Sequence, residues 1–291
     1  MSHISQPSVK AFFDEATYTV SYVVTDPNSS ACAIVDSVLD YDCASGRTSF
    51  ASADLVIDYI QTNQLTLNWI LETHVHADHL SAAPYIKEKL GGQIVIGSHI
   101  TTIQETFGSL FNAEPDFARD GSQFDILVSD AEQLPLGSLS IEVLHTPGHT
   151  PACVTYHIGG SAFVGDTLFM PDYGTARCDF PGGDASTLYH SIQRIFSLPD
   201  TTKLFMCHDY KAPGRDDYQW ETSVAEQKNA NTHIHSGISE HEFCEMRTAK
   251  DKTLNMPKLI LPSVQVNMRA GQLPPAESNG VRYLKIPLNA V

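Results

Sequence analysis

Seven consecutive residues, THVHADH at positions 73–79, contain three histidines and one aspartate. Imidazole and carboxylate groups are the ligands that zinc and iron take in proteins, at about 2.0–2.2 Å. The motif follows the apolar run LTLNWILE, so the chain leaves extended geometry there and can turn several side chains toward one point. His74, His76, Asp78 and His79 are therefore candidate ligands of a metal, and the motif alone leaves the number and identity of the metals open.

Three further segments place a polar side chain where a strand-like run ends. They are TPGHTPACVTY with His149, FVGDTLF with Asp166 and KLFMCHDY with His208. A single turn histidine or a single Gly-Asp pair is more often structural than a ligand. The order of the three segments and their shared position at strand ends make the set specific, and we expect these side chains to meet at one edge of layered sheets.

Strand-like and helical patterns alternate along most of the chain. YTVSYVVTD, CAIVD, LTLNWILE and QIVIGS are predicted strands. TSFASADLVIDYIQTN, ASTLYHSIQRIFSL and YQWETSVAEQKNAN are predicted helices, and HLSAAPYIKEKLGG is a predicted helix that ends at its glycines. No linker is visible, so we predict one domain over residues 1–291. Its C-terminal extension, from about residue 232, is predicted to be less regular and to end in a surface segment, LPPAESNG.

The charge balance restricts the partners. The chain has 18 Lys and Arg against 34 Asp and Glu, a net charge of −16, which repels nucleic acid and anionic membranes. The first residues do not have a signal-peptide pattern, and no run of 18 apolar residues predicts a membrane span. Six cysteines without a CxxC pair are typical of free thiols in a reducing compartment. We therefore expect a cytoplasmic protein that binds neither nucleic acid nor membrane.

HVHADH, PGHT, GD and a late strand-end histidine, in this order, resemble the metallo-β-lactamase superfamily. The resemblance covers nearly the whole chain. It implies the α/β (α+β) class and a four-layer αββα sandwich with a metal site at one edge. The superfamily contains hydrolases, nucleases and oxygen-using enzymes, so the fold does not decide the function.

Longer blocks resemble one family more closely. THVHADHLSAA, HTPGHTPACVTY, GTARCDFPGGDASTLYHSIQRIFSLPD, CHDY and VNMRAG are similar to the persulfide dioxygenases, also called sulfur dioxygenases. VLDYDCASGRTSF resembles the bacterial, sulfide-responsive subgroup more than the mitochondrial enzyme, so the resemblance implies the bacterial glutathione-persulfide type. Some bacterial relatives carry a C-terminal rhodanese domain, which we do not expect in this chain.

The resemblance implies a site with one Fe(II) per chain, rather than zinc, held by His74, His149 and Asp166. It also implies that four further side chains orient these ligands. The residues alone leave the same four open as ligands of a second metal: His76, Asp78, His79 and His208. The implied reaction oxidises glutathione persulfide with O₂ and water to sulfite and glutathione. The oligomeric state stays open, with a homodimer among the possibilities.

An acidic protein needs local cations to hold a substrate with two carboxylates. The family resemblance points to Arg177 in GTARCDF and Arg269 in VNMRAG, and Tyr210 offers a phenol group beside His208. Cys178 is interpreted as a packing thiol. His233, His235 and His241, in THIHSGISEH, are interpreted as residues of a solvated helix–loop region.

Two alternative functions are weighed against the dioxygenase. A hydroxyacylglutathione hydrolase, similar to glyoxalase II, would use two metals and recruit Asp78, His79 and His208 as ligands. A non-catalytic metal-binding or persulfide-sensing module would be expected to lack one of His74, His149 and Asp166, and all three are present.

Overall fold

The structure is a computed structural model that describes residues 6–290. In chain order the strands are β1 (Ser8–Asp14), β2 (Thr19–Thr25), β3 (Ala31–Val35), β4 (Val38–Asp42), β5 (Arg47–Ser49), β6 (Thr66–Leu71), β7 (Leu80–Ser81), β8 (Gln93–Gly97), β9 (Ile126–Val128), β10 (Gln133–Leu136), β11 (Leu139–His145), β12 (Val154–Ile158), β13 (Ser161–Phe163), β14 (Lys203–Phe205) and β15 (Glu221–Ser223). The helices are α1 (Ala51–Thr62), α2 (Ala83–Leu90), α3 (Ile100–Leu110), α4 (Ala185–Phe196), α5 (Val224–Ala230), α6 (Glu240–Asp251) and α7 (Ile260–Asn267).

Most strands belong to two six-stranded sheets. The first sheet has the order β1-β2-β3-β6-β8-β9 and the second the order β10-β11-β12-β13-β14-β15, while β5-β4-β7 form a small third sheet. β3, β6, β8 and β9 run parallel to one another, and β13 runs parallel to β14. Neighbouring parallel strands end at the same edge of a sheet, so polar residues that follow them in sequence come together.

The core consists of three apolar layers. Between the two sheets lie inward-facing side chains such as Val24, Val35, Ile141 and Tyr156. The outer face of the first sheet is covered by α1, α2, α3 and α7, and that of the second sheet by α4 and α6 together with Val224 at the start of α5. This arrangement is the four-layer αββα sandwich that the family resemblance implies.

Three segments differ from the sequence-based predictions. The pattern analysis missed α3, which buries Ile103 and Phe107 against the first sheet. The first part of YQWETSVAEQKNAN is the edge strand β15 rather than helix, because it pairs with β14. The extension from residue 232 is more regular than predicted, since α6 and α7 bury Phe243 and Val264.

Other predictions of local structure are confirmed. α2 ends at Gly91, whose positive φ of 76° suits glycine at a helix end. Residues 275–280 at the Pro-rich end are exposed. Within residues 6–290, no helix is both long enough and apolar enough to cross a membrane.

Candidate metal centre and substrate cleft

The loop that carries THVHADH leaves the end of β6 and turns into β7. Asn267, at the end of α7, fixes its shape: the Asn267 Nδ2 group donates to the carbonyls of His76 (2.9 Å) and His79 (2.8 Å). Its Oδ1 atom accepts from the backbone N–H of Ser81 at 2.8 Å. The sequence analysis missed this role, because the contact spans more than 180 residues and has no local pattern.

His74, His149 and Asp166 form the first group of potential metal ligands. Their ligand atoms lie within 4.8 Å of one another, and all three residues are buried. Asp166 Oδ2 lies 4.0 Å from His74 Nε2 and 3.8 Å from His149 Nε2. Asp166 stands in a 3₁₀ turn directly after β13, where Gly165 has a φ of +52° and an added Cβ would approach Thr73 Oγ1 to 2.7 Å. The turn therefore requires glycine beside the aspartate.

Hydrogen bonds set the protonation of the two imidazoles in this group. The Thr73 hydroxyl donates to Asp36 Oδ2 (2.8 Å) and lies 3.0 Å from His74 Nδ1, so it accepts the proton of that nitrogen. His149 Nδ1 donates to the carbonyl of Arg177 at 2.7 Å. Both rings then present the lone pair of Nε2 toward Asp166, as metal-binding histidines do.

Asp36 is a functional residue that the sequence analysis did not identify. It follows β3, the parallel neighbour of β6, and has a φ of +51°, which aspartate tolerates better than most residues. Its carboxylate accepts the backbone N–H of Thr73 (2.8 Å) and His76 Nε2 (3.0 Å) in addition to the Thr73 hydroxyl. The aspartate at the end of the predicted strand CAIVD was the available signal.

His76 is turned toward carboxylates instead of the first group. Its Nε2 atom lies 3.0 Å from Asp36 Oδ1 and 3.5 Å from Glu72 Oε2. Burial alone would lower the pKa of His76, but the two carboxylates outweigh it and raise this pKa well above its usual value. The carboxylates therefore occupy Nε2, whereas Nδ1 of His76 is buried without a hydrogen-bond partner and is the ring's remaining potential ligand atom.

A second group of potential ligands adjoins the first: His76, Asp78, His79 and His208. His208 Nε2 lies 3.1 Å from Asp78 Oδ2 and 3.3 Å from Asp166 Oδ1. Burial and the neighbouring histidine His76 lower the pKa of His79. Burial alone would raise the pKa of the Asp78 carboxyl group, but the neighbouring His208 and His79 outweigh it and lower this pKa.

Six ligand atoms in the two groups are buried and make no hydrogen bond of acceptable geometry, even where His208 lies close to the two aspartates: His74 Nε2, His76 Nδ1, His79 Nε2, Asp78 Oδ2, Asp166 Oδ1 and His208 Nε2. Buried polar atoms are normally paired, so this set of orphaned nitrogen and oxygen atoms fits a metal centre. Burial and the positive field of His76 also lower the pKa of His74 well below its usual value, which keeps its lone pair available.

A cleft of about 510 Å³ opens onto this centre, and Asp78, His149 and Asp166 line its floor. Aromatic side chains form much of its wall: Tyr18, Phe169, Tyr173, Phe180 and Tyr210. Tyr210 stacks on the His208 ring, with ring centres 5.6 Å apart. Burial, followed by the charge of Asp78, raises the pKa of Tyr210 well above its usual value, so its phenol keeps its proton.

The structure brings two of the three predicted substrate residues, Arg177 and Tyr210, to this cleft. Arg269 is not among the residues that line it. The Arg269 guanidinium makes two hydrogen bonds to Glu114, at 2.6 and 2.8 Å, and lies over the Phe117 ring. The sequence-based placement of Arg269 in the pocket is corrected on this ground: it follows α7 and is buried in a structural ion pair.

The interpretation of His233 as a solvated residue is also wrong. Only 8% of His233 is exposed, and its Nδ1 atom accepts the backbone N–H of Thr175 at 3.0 Å. Burial, followed by the nearby Lys250 and Arg247, lowers the pKa of His233 to about 3. His235 and His241 are exposed, as predicted. Cys178 is buried and donates to Asp251, as expected for a packing thiol.

Comparison with known proteins gives the family. The family model described as the metallo-β-lactamase superfamily matches residues 15–208. The chain is 58% identical to a probable metallo-hydrolase of Burkholderia pseudomallei (98% of this chain, 100% of the relative) and 49% identical to glyoxylase B2 of Dictyostelium discoideum (98% of each).

It is 30% identical to the mitochondrial persulfide dioxygenase ETHE1 of Bos taurus (92% of this chain, 91% of the relative). The crystal structure of ETHE1 from Myxococcus xanthus is similar to it with a TM-score of 0.71, at 29% identity over 91% of this chain and 100% of that one. From the motif order, the fold and these matches together, the chain belongs to the metallo-β-lactamase superfamily.

Proposed function

We propose that this protein is a persulfide dioxygenase. It oxidises glutathione persulfide with O₂ and water, and the products are glutathione, sulfite and two protons. One Fe(II) per chain is held by His74, His149 and Asp166. Two imidazoles and one carboxylate are the ligand set of non-haem iron oxygenases, in which the metal supplies open positions for substrate and O₂.

The observation that carries this proposal is the buried group of two imidazoles and one carboxylate, whose ligand atoms lie within 4.8 Å of one another. His76 is not in this group: its Nε2 atom lies against Asp36 and Glu72, and only its Nδ1 atom has no partner. Three ligands on one side of the centre leave the cleft side open for substrate.

The chain's own residues perform the remaining tasks. Asp36, through Thr73, keeps the proton of His74 on Nδ1, and the Arg177 carbonyl does the same for His149. The aromatic wall excludes water around the substrate sulfur, and Tyr210 offers a protonated phenol in the cleft. The similarity to the ETHE1 persulfide dioxygenases supports this assignment.

A hydroxyacylglutathione hydrolase is the second candidate. It is favoured by the unpaired atoms of Asp78, His79 and His208, which suit a second metal, and by the 49% identity to glyoxylase B2. In this function two metals would supply a hydroxide at neutral pH for attack on a thioester.

Metal analysis of anaerobically purified protein, followed by parallel assays, tests the proposal. We expect about one iron per chain, O₂ uptake with glutathione persulfide and no cleavage of a glutathione thioester. Two metals per chain with thioester cleavage and no O₂ uptake would assign the second function instead.

The Asp166→Ala variant tests the ligand set itself. We expect it to lose the metal and O₂ uptake while keeping a folded circular-dichroism spectrum. Asp26→Asn is a matched control, because Asp26 is also a buried carboxylate but contacts Ser29 and Ser138 at the opposite end of β2. Undiminished O₂ uptake in Asp166→Ala would remove Asp166 from the centre.

A further inference from the structure

Four cations line the substrate cleft of this acidic protein: Arg177, Arg247, Lys250 and Lys258. Lys250 and Lys258 belong to the C-terminal part of the chain, in α6 and in the segment between α6 and α7. A negatively charged substrate must find its partner among these groups, because the protein carries a net charge of −16. Their contacts determine which of them is available.

The two arginines are already neutralised by carboxylates. Arg177 makes two hydrogen bonds to Asp179, at 2.6 and 2.8 Å, and donates to the Asn255 carbonyl at 2.7 Å. Arg247, which is fully buried, pairs with Asp251 at 2.5 Å and donates to the Thr175 carbonyl at 3.0 Å. Both guanidinium groups therefore stabilise the walls of the cleft. Because carboxylates already compensate their charges, they attract an anionic ligand only weakly.

Lys250 is unavailable to a ligand for a different reason. Its Nζ atom lies 2.9 Å from His233 Nε2. Its amine is therefore held against the His233 ring instead of being free for a ligand. Burial and the nearby Arg247 also lower the pKa of Lys250.

Lys258 is the remaining cation. Among the described residues it has no ion pair within 4.0 Å and no side-chain hydrogen bond, although it lines the cleft beside Leu254, Pro257 and Leu259. Lys258 is exposed, so its ammonium group is accessible to an anion that enters the cleft.

We propose that Lys258 binds a carboxylate of the substrate, so that the cleft prefers thiol derivatives with a free carboxylate over their uncharged esters. Lys258 then has the substrate-binding role that the sequence analysis gave to Arg269. The inference deepens the proposed function, and it applies equally to a persulfide or a thioester of an anionic thiol.

Calorimetry with a non-reacting ligand tests the role of Lys258 without turnover. S-Hexylglutathione and its diethyl ester are titrated into the anaerobic iron-loaded protein. We expect the wild type to bind the free acid about 2- to 5-fold more tightly, the upper part of the range for one exposed ion pair. Lys258→Met should lose this preference and Lys258→Arg should keep it, with a steeper salt dependence for the acid than for the ester.

Lys252→Met is the matched control, since Lys252 is exposed on the same segment but does not line the cleft. An unchanged acid-to-ester ratio in Lys258→Met, or an equal loss in Lys252→Met, would overturn the proposal. Absence of O₂ uptake by the wild type would refute the dioxygenase assignment and leave the calorimetric result unaffected, so the two failures are distinguishable.

Discussion

Replacement of Asp36 by asparagine should impair metal binding although Asp36 is not a ligand. The asparagine side chain has the same shape and tolerates the φ of +51°. Its oxygen can still accept from Thr73 N–H and His76 Nε2, as Asp36 Oδ1 does at 2.8 and 3.0 Å. Its amide group, however, donates to the Thr73 hydroxyl where the carboxylate accepted from it.

The consequence reaches His74 through the Thr73 hydroxyl. This hydroxyl must then donate to His74 Nδ1, 3.0 Å away, which moves the ring proton to Nε2, the nitrogen that faces Asp166. The metal must now displace that proton. Loss of such a supporting hydrogen bond lowers metal affinity about 10- to 100-fold, or about 1.4–2.7 kcal/mol. The loss of one hydrogen bond to a charged group should also reduce the free energy of unfolding by about 1.5–3 kcal/mol.

Competition with a chelator and urea unfolding of the metal-free protein measure the two effects separately. Asp26→Asn is again the control: Asp26 accepts hydrogen bonds from Asn28, Ser29 and Ser138, so this variant should lose stability without losing metal affinity. Wild-type metal affinity in Asp36→Asn would refute the proposed route from Asp36 through Thr73 to His74.

Two further predictions concern residues that the sequence analysis misplaced. Arg269→Ala should lower the free energy of unfolding by about 3 kcal/mol, since it leaves Glu114 without its partner, and should leave KM unchanged within twofold; a large rise in KM at normal stability would return Arg269 to the pocket. For His233, the folded pKa of about 3 lies below the unfolded value of about 6.5. Between these two pH values the unfolded state binds more protons than the folded state, so the free energy of unfolding falls as the pH decreases. The wild type should lose about 2 kcal/mol more than His233→Asn between pH 7 and pH 5 in urea titrations, and parallel pH profiles would contradict the assignment of a neutral buried ring.

Strand-end motifs made the two groups of potential ligands predictable because of a geometric rule. His74 follows β6 and Asp166 follows β13, and each strand has a parallel neighbour, so residues after such strands gather at one edge. The spacing of polar residues after apolar runs carries this information locally. The layered fold was predictable for the same reason, since most of its strands and helices have clear periodicity.

The partners of these residues were not predictable, because they depend on the order of strands and helices in space. Asp36 reaches Thr73 only because β3 lies next to β6 in the sheet, and Asn267 reaches the metal-binding loop only because α7 packs beside β7. Likewise, α6 carries buried Arg247 and an otherwise polar surface, so its sequence resembles a solvated segment. Its contribution to the cleft became visible only from its contacts.

The tertiary partners also explain how one motif can serve two roles. In THVHADH the residue types alone make His74 and His76 equivalent, and both rings are buried. Asp36 distinguishes them: it holds His76 directly by Nε2, while it reaches His74 through Thr73 by Nδ1. The same carboxylate therefore keeps Nε2 of His76 occupied and Nε2 of His74 free, and leaves Nδ1 as the unpaired nitrogen of His76. Which nitrogen each histidine of the HxH motif can offer to a metal then depends on a carboxylate supplied by the neighbouring strand, about 40 residues earlier in the chain.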